Sequence, residues 1–141
     1  MIYRFQLAGL VAALGLMFGA AAMAADMTKD EYKAGKDSIE ATYKKDKDAC
    51  DASSGNAKDI CKAEAEGKEK VAKAELEAKY KPSPKANYNV SMAKTEAEYK
   101  VAKEKCDDMS GKEKDACVKE AKAAEARGKA EAKSQMGSMA K

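Results

Sequence analysis

Cysteine is the residue type in this chain best suited to do chemistry. Its four copies fall into two pairs of identical spacing, Cys50-x10-Cys61 and Cys106-x10-Cys117. A tyrosine stands seven residues before each first cysteine, Tyr43 and Tyr99, so the whole motif recurs 56 residues on. Four thiols at matched spacings can staple a chain, exchange disulfides or hold zinc. Exchange catalysis usually needs Cys-x-x-Cys, where proximity and a helix N-terminus lower one thiol's pKa. Structural zinc sites normally show short Cys-x2–4-Cys knuckles. Both patterns are missing, so the four cysteines read as a disulfide framework. Two connectivities fit the spacing. If Gly55 and Gly111 are turns, Cys50 meets Cys61 and Cys106 meets Cys117. If each segment is one unbroken helix, both of its cysteines share a face, and Cys50–Cys117 with Cys61–Cys106 would bridge two helices. Ser53-Ser54-Gly55-Asn56 and Ser110-Gly111-Lys112-Glu113 are good turns and poor helix interiors, which favours pairing within each repeat.

Other chemistry is thin. The chain has no histidine, the commonest general base and nitrogen ligand for metals. Asp46, Asp48 and Asp51 resemble the start of a calcium loop, but the required Gly and terminal Glu do not follow in register. Ser53 and Ser54 lie in turn chemistry with no base beside them. The expectation is a non-enzyme with no catalytic residue, no cofactor and no metal.

The repeat must be positioned by helices. Charged residues make up 36% of the chain, yet the formal net charge is only +3. So balanced a chain lacks the positive field that drives nucleic-acid binding. Residues 1–24 read as a cleavable signal peptide: Arg4, then an apolar run from Leu7 to Phe18, then Ala22-Met23-Ala24 before Ala25. The apolar run is short for a membrane span of about 20 residues, so no stable membrane insertion is expected after cleavage. Export also suits cysteines meant for disulfides. From residue 25 onward the large aliphatics are only Ile39, Ile60, Val71, Leu76, Val90, Val101 and Val118, and Phe and Trp are absent. Ala, Lys, Glu, Leu and Arg dominate instead. These strong helix formers favour long, solvent-washed helices with thin seams.

Start and stop signals mark four helices. Thr28-x-x-Glu31 is a capping box opening a helix over 29–52. The Gly55 turn leads into a second helix over 57–80, which Pro82 stops. Ser83-Pro84 serves as N-cap and first helical residue of a third, running to about 108. A fourth runs from the Gly111 turn to about 135. The domain reading is signal peptide 1–24, hairpin repeat 25–81, a Pro-Ser-Pro linker 82–85, hairpin repeat 86–136 and a flexible tail 137–141. The fold class expected is all-α: two tandem disulfide-stapled antiparallel hairpins. Glu sits four residues before Lys at 40/44, 64/68, 66/70, 69/73, 75/79, 77/81, 96/100 and 125/129, the favourable order for pairing within a helix.

Spacings of 7, 4 and 7 place Tyr32, Ile39, Tyr43 and Cys50 on one face, and Tyr88, Thr95, Tyr99 and Cys106 likewise. The return arms offer Cys61, Ala65, Lys68, Ala72 and Leu76, and Cys117, Ala121, Ala124, Gly128 and Ala132. Tyrosine opposite alanine or glycine predicts a close seam of large against small side chains.

Signal peptide, Tyr-x6-Cys, the stretch Ser-Gly-Asn-Ala-Lys-Asp-Ile-Cys-Lys-Ala-Glu-Ala at 54–65 and the second Cys-x10-Cys resemble a group of small exported proteins. These occur in Gram-negative, mainly betaproteobacterial, genomes and are often labelled TolA-like or hypothetical. The resemblance implies periplasm and helix, and does not carry over TolA's envelope-bridging role. The function expected is a periplasmic structural or interaction module of the cell envelope, with an unidentified protein or envelope partner. A chaperone-like or stress-protective protein is the alternative, and a thiol–disulfide redox protein the second.

Overall fold

The structure is a computed structural model and describes residues 26–139; the expected signal peptide lies outside them. Four α-helices run in chain order: α1 Lys29–Ala49, α2 Gly55–Tyr80, α3 Pro84–Cys106 and α4 Gly111–Met139, with a 3-10 turn at Cys50–Ala52 between α1 and α2. No strand occurs among the described residues. The fold is all-α, as the Ala, Lys and Glu content favours.

The local signals act where the residues put them. At Thr28 the capping box closes: the hydroxyl accepts from the Glu31 amide at 3.2 Å, and the Glu31 carboxylate accepts from the Thr28 amide at 2.8 Å. At Ser83 the hydroxyl accepts from the Ala86 amide at 3.0 Å, and Pro84 is the first helical residue. Gly55 and Gly111 take φ of 57° and 53°, the left-handed conformation that turns the chain back. Each hairpin is stapled there, by Cys50–Cys61 and by Cys106–Cys117, with Cα separations of 5.6 Å in both. The unbroken-helix alternative is therefore set aside.

Several boundaries differ from the expected ones. The first helix ends at Ala49 and tightens into the 3-10 turn, which carries Cys50 toward Cys61. The third ends at Cys106, where the staple and the Gly111 turn take over. The linker contracts to Pro82-Ser83, because Pro84 already belongs to α3. The tail expected at 137–141 is helical through Met139, since Gly137 is tolerated at a cost of about 1 kcal/mol. Ser138 Oγ donates to the Gln135 carbonyl at 2.9 Å there, and the Asn87 amide reaches Met139 Sδ at 3.8 Å.

The helices lie in a row in which only chain neighbours touch. The outer pair, α1 and α4, do not meet, and α1 does not reach α3. The Pro82-Ser83 break does not separate the hairpins: α2 packs along α3 as well as along α1. The interior explains the row. Among the described residues the buried positions are Cys50, Ala63, Ala65, Gly67, Ala86, Ala93, Cys106, Ala121 and Ala132. All seven large aliphatics are only half-buried. Closing a four-helix bundle needs a broad apolar stripe on every helix. Narrow alanine seams suffice for a row and for nothing thicker.

Candidate functional site

The seams come first, because they make the site. Between α1 and α2, Tyr32 stacks on Tyr80 with ring centroids 4.3 Å apart, and its hydroxyl donates to Glu77 at 2.6 Å. That acceptor favours the neutral phenol and raises the Tyr32 pKa above its ordinary value. Leu76 sits over Gly35, where an added Cβ would meet its Cδ1 at 2.7 Å. Ile39 and Tyr43 line a small crevice of about 170 Å³ against Ala65 and Ala72. Between α3 and α4, Thr95 packs over Gly128, and Ser91 donates to Gln135 at 3.3 Å. Tyr88 is half-buried with Lys85 4.5 Å from its ring, and Tyr99 is half-buried too. Lys68 and Ala124, expected on the return-arm faces, are exposed instead. Helix α2 must face α1 and α3 at once, and Lys68 falls on the rim between them, 3.6 Å from Asp46.

The hairpin necks repeat their electrostatics. Lys58–Asp51 and Lys114–Asp107 each close a turn at 2.8 Å. These lysines hold both carboxyls below the ordinary aspartate value. Farther along, Lys73–Glu69 and Lys129–Glu125 pair within their helices at 2.6 Å, and each lysine is raised by its glutamate.

The seam between the hairpins is of another kind. Gly67 lies so close to α3 that a Cβ added there would stand 2.8 Å from the Ala97 Cβ. Ion pairs cross beside it: Glu66 with Lys100, Lys70 with Glu96, and Glu75 with Lys94 at 2.8 Å. The sequence pairs 66 with 70 and 96 with 100 inside their own helices; the fold exchanges those partners across the seam. Asn56 adds a hydrogen bond to the Glu104 carbonyl at 2.8 Å.

Above this seam lies an open groove of about 610 Å³. Gly67, Val71, Ala72, Ala97, Val101 and Ala102 make its floor. Its rim carries Glu64, Lys68 and Glu75 from α2, and Lys94, Glu98 and Lys105 from α3. An apolar floor with fixed charges of both signs around it can hold an apolar segment and orient it. Of the residues singled out in the sequence for the seams and the disulfides, Lys68 and Ala72 line this groove; the cysteines and the tyrosines do not. One signal does point to it: Val71 and Val101 correspond in the repeat to Arg127 and Lys45, so they break the repeat toward apolar.

All four cysteines are consumed in disulfides. No group of three or more potential metal ligands occurs among the described residues, and none of the described helices is long and apolar enough to cross a membrane. Comparison of the chain with protein-family models, with curated proteins and with solved structures finds no match.

Proposed function

We propose that this protein is a periplasmic, non-enzymatic interaction module of the cell envelope, and that the groove between α2 and α3 receives an apolar segment of its partner. The groove carries the reading. Large aliphatic side chains are scarce here, yet Val71 and Val101 are placed together and left half-exposed where the hairpins join. Surface apolar area gathered between charged rims is characteristic of binding sites. Two disulfides fit an oxidising compartment, and the N-terminal residues read as an export signal.

The test is site-specific photocrosslinking in periplasm under native redox conditions. A photoreactive residue at Val71 should capture a discrete partner, and Val101→Glu should abolish the adduct. Equal capture from Lys133, an exposed residue of α4 that does not line the groove, would remove the groove from the reading. Suppression of aggregation of many unrelated unfolded proteins would favour the chaperone-like alternative instead.

A further inference from the structure

The repeat permits a comparison that the groove does not use. Adding 56 to a position on α2 gives its equivalent on α4, and subtracting 56 from one on α3 gives its equivalent on α1. The outward face of α4 is thus the counterpart of the α2 face that meets α3, and the outward face of α1 the counterpart of the α3 face that meets α2. A second copy of the chain placing its α1 on this α4 would rebuild the α2–α3 seam, and such head-to-tail contacts generate open chains.

Each element of the seam is altered on those two faces. Gly67 against Ala97 becomes Ala123 against Ala41, and the position has no room for the added Cβ. Glu66 with Lys100 becomes Lys122 facing Lys44, two like charges. Lys70 with Glu96 becomes Ala126 and Glu40, and Glu75 with Lys94 becomes Glu131 and Ser38, so each keeps one charge without its partner. The buried alanines Ala63, Ala86 and Ala93 become Lys119, Asp30 and Asp37, all exposed. Val71 and Val101 become Arg127 and Lys45.

We infer that α1 and α4 are end caps: their outer faces refuse a second copy of this chain, so the row stops at two hairpins. Repeat arrays need such polar terminal faces to stay discrete, and like charges set against each other suppress a wrong pairing. This goes beyond the proposed binding role and does not depend on it. A capped row also leaves the α2–α3 groove as its one inter-hairpin seam.

The experiment recodes both edges of the full chain to match the internal seam. On α4 the changes are Lys119→Ala, Lys122→Glu, Ala123→Gly, Ala126→Lys and Arg127→Val. On α1 they are Asp30→Ala, Asp37→Ala, Ser38→Lys and Lys45→Val. All are exposed positions. In sedimentation velocity the natural chain should remain a single copy at every concentration, and the recoded chain should form concentration-dependent multimers. Chains recoded at one edge only should stay single alone and pair one-to-one when mixed; they decide the question if the full variant loses its helical signal. The inference is overturned if recoded, helical chains stay single. It is equally overturned if otherwise natural chains carrying Ala41→Cys and Ala123→Cys cross-link efficiently to each other when mixed.

Discussion

At their necks the two hairpins are built alike. Cys50–Cys61 matches Cys106–Cys117, Gly55 matches Gly111, and Lys58–Asp51 matches Lys114–Asp107. At their far ends they part. The first hairpin closes on the Tyr32–Tyr80 stack, the Tyr32–Glu77 hydrogen bond and Leu76 over Gly35. In the second, Ala132 replaces Leu76, Met136 stands where Tyr80 would, and the links are Ser91 to Gln135 and Asn87 to Met139. The difference teaches where each hairpin keeps its stability. The first is closed at its far end by large side chains, while the second closes there on small ones, the buried Ala132 among them, and on two side-chain hydrogen bonds.

The largest expected effect tests that directly. Each staple closes a short loop, worth about 3 kcal/mol in the chain-entropy view. The pair Cys106→Ser with Cys117→Ser should raise hydrogen exchange along α4 more than Cys50→Ser with Cys61→Ser raises it along α1. Equal protection of α1 and α4 in the two variants would mean that the aromatic end adds nothing.

Next comes the seam between the hairpins. Gly67→Ala improves helix propensity by about 1 kcal/mol but drives a Cβ into the Ala97 methyl on a rigid helix. Overpacking of this kind costs about 1–3 kcal/mol, so the melting temperature should fall. Gly35→Ala meets only the movable end of Leu76 and should fall less. A rise with Gly67→Ala would show that α2 and α3 are not held so close.

Removing the stack by Tyr80→Ala should loosen the first hairpin by about 0.5–1.5 kcal/mol beyond the lost buried area. Met136→Ala at the matching site of the second should do less. Thermal melts of the two variants rank the far ends, and the reverse order would dismiss the contrast drawn above.

The smallest effects are in pH. Asp51 and Asp107 are both lowered by their lysines, so what they contribute is present above the ordinary aspartate value and is lost as pH falls through the depressed one. Acid should therefore act on the two necks alike, and Asp51→Asn and Asp107→Asn should blunt it equally. Tyr32 is raised, so its contribution is full below the ordinary phenol value and is lost as pH rises through the higher one. Spectrophotometric titration should show one late-ionising tyrosine that Tyr32→Phe removes. A late component that survives the substitution would place the raised phenol elsewhere.

The sequence by itself determined the helices, their turns and the cysteine pairing it favoured. These follow from local physics: the Thr28 box, Ser83-Pro84 and the glycines at 55 and 111 act within a few residues of themselves. The helix ends were read less well, because the staple draws Cys50 into a tighter turn and nothing in the composition reports where fraying stops. Partner choice was not legible at all. Glu66, Lys70, Glu96 and Lys100 satisfy the within-helix spacing rule, and only the register of α2 against α3 turns them across the seam. The groove shares that origin. Val71 and Val101 lie 30 residues apart, and a one-dimensional pattern cannot say that two half-buried side chains line one groove. That was decided when Gly67 let two helices approach closely enough for alanine seams and crossed ion pairs to hold the hairpins side by side.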